Sequence, residues 1–228
     1  MANFLLDEID FANNEIVITG TNQFDYLLKN NIANSGKIIF NVDENSSLNL
    51  NIIDFSSSDM DVNVVVNLAF NSQCRLQVAS ICSKDNKKRF KIDVNHLAKN
   101  TYSRTKMAGI NSGNGNLKFL GNSLIKNGAS KSDTRQEGKI TNLSPECKSE
   151  VSPALLIDEN DVNASHGAAL GAYNPEIIYY LMSRGLSLEE SKKLITYGNL
   201  LPIIESLDNK DIVEECKNIL GGISLWLM

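Results

Sequence analysis

The chain has 228 residues, 42% of them hydrophobic, and a net charge of -5 from 22 basic and 27 acidic side chains. That length supports one substantial core with a small appended unit. The acidic balance, without a dominant basic face, argues against general nucleic-acid or anionic-membrane binding.

The N-terminal stretch MANFLLDEIDFANN lacks the positive start and long apolar run of a secretory signal. No segment approaches the roughly 20 apolar residues that span a bilayer, so the expected location is cytoplasmic. Residues 21–34 are ambiguous and admit a short helical element around Phe24–Lys29. From Leu48 onward the two-residue alternation of strands takes over, clearest in Val62–Leu68 and Phe90–Val94. Strand starts at Leu48, Val62, Arg75, Arg89, Tyr102 and Leu117 recur every 13 to 15 residues, separated by Asn, Ser, Asp and Gly clusters such as Ser56–Asp59. This regularity describes a repetitive all-β stack; spacing alone does not separate a sandwich from a solenoid. The dense basic run Lys87-Lys88-Arg89 reads as a solvated strand edge.

Beyond Tyr173 the spacing becomes helical. Asn174 and Pro175 suit a helix start, and Arg184-Gly185 a stop. Ser187 and Glu190 form a capping box for a second helix, which Gly198 and Pro202 are expected to interrupt. Ile177, Tyr180 and Leu181 are the expected inward face of the first helix. A third helix runs from about Asp208, with Ile212, Val213, Cys216, Ile219 and Leu220 inward, to Gly221-Gly222; an apolar tail, 223–228, follows. The expected organisation is a β core over 1–172 and a helical subdomain over 173–228.

Four cysteines (Cys74, Cys82, Cys147, Cys216) form no C-x-x-C pair or zinc spacing and read as reduced, mostly structural thiols. His96 lies in the strand region and reads as structural. His166 stands among small residues, where helix signals do not account for Ser165-His166-Gly167-Ala168. That segment resembles the SufB/SufD family of SUF iron–sulfur cluster assembly proteins. Further motifs are similar to the family's: His96 through Asn100-Thr101-Tyr102-Ser103-Arg104, Gly121–Ile125 with Gly128–Asp133, Leu143-Ser144-Pro145 with Ser152–Ile157, and Ser183–Ser187. The collinear match covers roughly residues 60 to 205.

The resemblance implies a right-handed parallel β-helix, two strand units per turn. It implies a non-enzymatic, SufD-like scaffold at which an iron–sulfur cluster is held transiently and shared with a partner subunit. It names as partners a SufC-like ABC ATPase, docking around Tyr179, Arg184, Gly185 and Leu186, and either a second copy or a SufB-like subunit. His166 is then the leading cluster ligand. No phosphate-binding loop is present, so no nucleotide is expected on this chain.

The chain departs from the family where thiolates are expected. SufB members carry a cysteine about 28 residues before the histidine, where Gln136 and Glu137 stand here; they carry a glutamate after it, and this chain has Gly167. Some SufD members have a cysteine two positions before the histidine, here Ala164. Glu137, as a hard oxygen ligand, and Cys147 are the remaining ligand candidates. About a twofold axis, two His166 and two Glu137 are expected to converge. The alternative functions are a purely structural solenoid and, further off, a β-helix enzyme acting on acidic polysaccharides. The helices have two readings as well: a docking surface and a cap over the end of the stack.

Overall fold

The computed structural model describes residues 2–6, 11, 14–29 and 33–222. The chain runs through β1 (Ala2–Leu6), β2 (Glu15–Ile18), β3 (Thr21–Leu28), β4 (Asn34–Val42), β5 (Ser47–Asp54), β6 (Met60–Leu68) and β7 (Gln73–Cys82). It continues with β8 (Lys87–His96), β9 (Tyr102–Asn111), β10 (Asn116–Ile125), β11 (Ser132–Asn142), β12 (Lys148–Ile157) and β13 (Val162–Ala172). Three helices close it: α1 (Pro175–Ser183), α2 (Leu188–Ile204) and α3 (Lys210–Gly222).

Odd-numbered strands form one seven-stranded sheet in the order β1 to β13, and even-numbered strands a six-stranded sheet from β2 to β12. The pairing is parallel throughout, so the chain winds alternately between two facing sheets as a β-solenoid. Stacked residues are 26 apart at Asn45–Asn71 and 31 apart at Thr101–Ser132. The 13-to-15-residue unit read from sequence is therefore half a turn. Residues 21–28, left open to a helix, are strand: Phe24, Tyr26 and Leu28 continue an inward column that stacks on Leu50, Ile52 and Asp54.

Strict alternation builds the interior. Val62, Val64, Val66 and Leu68 are buried on β6, and Phe90, Ile92 and Val94 stack above them on β8. Each such side chain contributes about 1.5–3 kcal/mol of hydrophobic stabilisation. Phe90 and Phe119 meet edge to face with ring centroids 6.0 Å apart. At Gly109 a Cβ would sit 2.5 Å from Leu117 Cδ2, so the packing there requires glycine.

The same parity corrects the reading of the basic run. Strand β8 lies between β6 and β10, not at an edge, and only Lys87 and Arg89 point outward. Lys88 is fully buried; its ammonium donates to Asp54 Oδ2 at 2.7 Å and to the carbonyls of Ser56 and Ile81. Asp54 also accepts from the Ser80 hydroxyl at 2.7 Å and from the Ser56 hydroxyl, so both charges are satisfied.

Corners require left-handed backbone, and asparagine supplies much of it. Asn45, Asn71 and Asn100, with Lys131, take φ between 55° and 60° at one corner of successive turns. Asparagine also ties turns together on the outside, Asn95 donating to Asn67 and Asn67 to Asn41 at 2.8 and 2.7 Å.

The helices lie along a flank of the coil. Leu200, Ile203, Ile204, Ile212, Cys216 and Leu220 share a core with Leu27, Ile53, Ala79, Ile81, Ala108 and Ile110 on the outer face of the seven-stranded sheet. A cap over the end of the stack is not what they form. Helix α2 passes unbroken through Gly198 and Pro202. Pro202 falls in its last turn, and the carbonyl it leaves unpaired belongs to exposed Gly198, which water reaches. On α1 the inward residues are Ile178 and Leu181; Ile177 and Tyr180 are about half exposed. The apolar tail lies outside the described residues.

Candidate functional site

The C-terminal end of the coil is open. Among the described residues β13 pairs only with β11, and β12 only with β10, leaving two strand edges uncovered. Exposed sheet edges are normally blunted by lysine, proline or a bulge. Across Val162–Ala172 there is none of these and no Asp, Glu, Lys or Arg; small residues dominate. His166 sits near the middle of this strand and is exposed.

Register fixes where His166 points. It is aligned with Gln136, and Gln136 with Thr105, Leu76, Leu50 and Phe24. This inward column is apolar through Leu76 and then turns polar. The neighbouring column does the same, from Leu48 and Cys74 to Ser103 and Thr134. The last turns of the interior therefore hold a hydrogen-bonded polar seam. His96, fully buried, meets Thr101 Oγ1 at 2.8 Å through Nδ1 and Ser103 Oγ at 3.0 Å through Nε2. Ser103 bonds Thr134, Thr134 bonds Ser123, and Gln136 Nε2 donates to Ser123 Oγ at 2.7 Å and to the Ala154 carbonyl. Burial pushes the His96 imidazole down to about 4, so it sits neutral in this seam.

Gln136 ends the seam beneath His166. Its Oε1 is buried with no hydrogen-bond partner among the described residues. Such an orphan acceptor is costly to bury unless a donor arrives. An aligned imidazole one strand away is the nearest side chain of that kind by register. Sequence spacing alone did not single out Gln136 as inward; only the parity of β11 does.

The other ligand candidates do not join His166. Glu137, aligned with Gly167, projects from the opposite face of the sheet, and Arg135 donates to its Oε1 from Nε at 2.7 Å. Within one chain Glu137 and His166 therefore face opposite sides of the sheet; their convergence about a twofold axis concerns two copies. Cys147 lies in the corner between β11 and β12, half-buried, its thiol toward the Gly113 carbonyl at 3.6 Å. The end of β11 alone is about 20 Å along the strand from Gln136. Burial pushes the Cys147 thiol upward, Cys82 and Cys216 to about 12, and Cys74 further still. All four cysteines are free thiols held in the protonated form. Among the described residues no three His, Cys, Asp or Glu side chains converge to hold a metal.

The second surface is α1 and its junction with α2. Asn174 Oδ1 accepts from Glu176 N–H at 2.9 Å, and Ser187 and Glu190 complete the capping box. Arg184 is the C-cap of α1 and its guanidinium lies 5.1 Å from the Tyr180 ring centroid. Gly185 takes φ 95°, a left-handed turn that returns Leu186 N–H to the Leu181 carbonyl. Tyr179 is 78% exposed, and Ile177, Tyr180, Met182 and Leu188 are each close to half exposed, which leaves an apolar surface on α1 and at the start of α2. Among the described residues no helix is long and apolar enough to cross a membrane.

Fold and site together define a class: a two-sheet parallel β-solenoid, flanked by helices, with an open terminal strand carrying an inward histidine. The family described as "SUF system FeS cluster assembly, SufBD core domain" matches residues 15–199, and the chain belongs to it. Among curated relatives, the iron–sulfur cluster assembly protein SufD of Bacillus subtilis is 38% identical over 102 residues, 45% of this chain and 23% of that protein. A SufBD family protein of Pyrococcus horikoshii is 36% identical over 82 residues, 36% of this chain and 18% of the relative. Escherichia coli SufD is 28% identical over 85 residues, 36% of this chain and 20% of the relative. The aligned segments thus span about a quarter or less of each relative.

Proposed function

We propose that this chain is a non-enzymatic, SufD-like scaffold component of SUF-type iron–sulfur cluster assembly. It pairs through the free edge of β13 with a second solenoid, either its own copy or a SufB-like subunit. The nascent cluster is cargo at that junction, and His166 supplies one imidazole ligand from the inward face of the paired strand. Gln136 Oε1 accepts from the other ring nitrogen and fixes the tautomer, as outer-shell acceptors do for metal-bound histidines. Cys74, Cys82 and Cys216 are buried and Cys147 lies in a distant corner, so the sulfur ligands come from the cargo and the partner. A SufC-like ABC ATPase docks on the apolar face of α1 and the α1–α2 junction, at Tyr179, Arg184, Gly185 and Leu186, and moves the two solenoids relative to each other. The site of action is the cytoplasm.

The observation that carries this reading is the uncharged, uncovered β13 edge with His166 at its middle. Anaerobic reconstitution of the complex, followed by visible absorption and iron counting, tests it. His166→Ala should lower bound iron about tenfold with assembly of the subunits unchanged, and Gln136→Leu should lower it less. Iron content in His166→Ala equal to wild type removes the ligand role.

A further inference from the structure

Parallel register places like charges in a stack on the outer face of the seven-stranded sheet. Arg75 of β7, Arg104 of β9 and Arg135 of β11 are aligned on successive strands. Neighbours in such a ladder are about 4.8 Å apart, and like charges directly opposite are destabilising. Two of the three are relieved from within: Arg104 pairs with Asp133 at 2.7 Å and lies 3.8 Å from the Tyr102 ring centroid, and Arg135 pairs with Glu137 at 2.5 Å. Arg75 is exposed and has neither an ion pair nor a hydrogen bond among the described residues. Lys106, one outward position along from Arg104, is half-buried and likewise has neither an ion pair nor a hydrogen bond among the described residues.

These side chains line a cavity of about 410 Å³ between the sheet and the end of α2, whose wall is Pro202 and Ser206. Four cations face it, Arg75, Arg104, Lys106 and Arg135, against the single carboxylate of Glu137. The chain as a whole carries -5, so this positive field is local and is set by register. Guanidinium forks stacked at strand spacing present parallel N–H pairs suited to oxyanions, and the volume suits a small molecule.

We infer that this groove binds a small multivalent anion, one carrying at least two phosphate or carboxylate groups, with Arg75 and Lys106 as its unpaired contacts. The groove lies on the face opposite to the one His166 uses, so occupancy does not require cluster binding.

Isothermal titration of the full chain with tripolyphosphate and, separately, with citrate tests the inference. At least one should bind, and Arg75→Gln and Lys106→Gln should each weaken it about tenfold, the size of one charge-assisted hydrogen bond. Tighter tripolyphosphate marks a phosphorylated ligand, tighter citrate a polycarboxylate. Lys118→Gln, on the other sheet and paired with Glu150, is the control for general charge and should leave the affinity unchanged. Neither Arg75 nor Lys106 has a hydrogen bond or ion pair among the described residues, and circular dichroism checks that the variants fold. No heat from either anion at about 1 mM overturns the inference, as does an equal loss in Arg75→Gln and Lys118→Gln.

Discussion

Two buried side chains in the coil have measurable consequences of their own. His96 is neutral when folded, with its ring held at about 4 by burial, while the unfolded chain takes up a proton near 6.5. The unfolded state therefore binds more protons between those values. The stabilisation is complete above 6.5 and is lost as pH falls toward 4. Urea unfolding at pH 7 and pH 5 should differ by about 2 kcal/mol from this residue, and the difference should vanish in His96→Gln. Lys88 tests the inward pair. Lys88→Met leaves the Asp54 carboxylate buried and unpaired, a loss of about 3–5 kcal/mol, whereas removing both charges in an Asp54→Asn, Lys88→Met double variant should cost less than the single change. Thermal melts of the three proteins decide it. A double variant weaker than the single would show that the pair acts through more than charge compensation.

At the scale of the element, the strands and their turns are legible in the sequence because the physics is local. Alternation of β-branched residues marks β6 and β8, and Asn-rich clusters mark corners that need positive φ. Helix caps were legible for the same reason: Asn174 and Ser187 satisfy donors within three residues of themselves. Features that depend on what packs opposite were not. Lys88 reads as solvated by composition and is buried by parity; Tyr180 reads as inward by spacing and is exposed because α1 buries only its Ile178 side. That exposed face makes a prediction. If α1 is the ATPase platform, Tyr179→Ala should weaken docking by about tenfold or more, as loss of an aromatic anchor does, and leave the melting temperature unchanged. Surface plasmon resonance against the SufC-like ATPase measures it; undiminished binding would place the dock elsewhere.

For the molecule as a whole, the decisive feature is that the helices cover a flank and leave the end open. The family motif was readable as Ser165-His166-Gly167, but the reason it matters is long-range. Only the closed register of β11 on β13 brings Gln136 beneath His166 and sends Glu137 to the other face. The arginine stack was hidden for the same reason, since Arg75, Arg104 and Arg135 are neighbours only once the coil has wound. An uncharged edge of eleven residues is a liability in a lone monomer and an asset in an assembly. The most direct test of the account is the light-scattering mass of the chain co-expressed with the SufC-like ATPase and the SufB-like protein of its host, beside the same preparation carrying Ala168→Pro. The Ala168 N–H lies on the free side of the edge strand, because Tyr173 N–H, of the opposite parity, donates to the Asn142 carbonyl on β11. The account predicts two solenoid chains per wild-type particle, two copies or one of each kind, and one per particle in the variant with the fold retained. A wild-type particle with a single solenoid chain, or a pair that survives the proline, would contradict it.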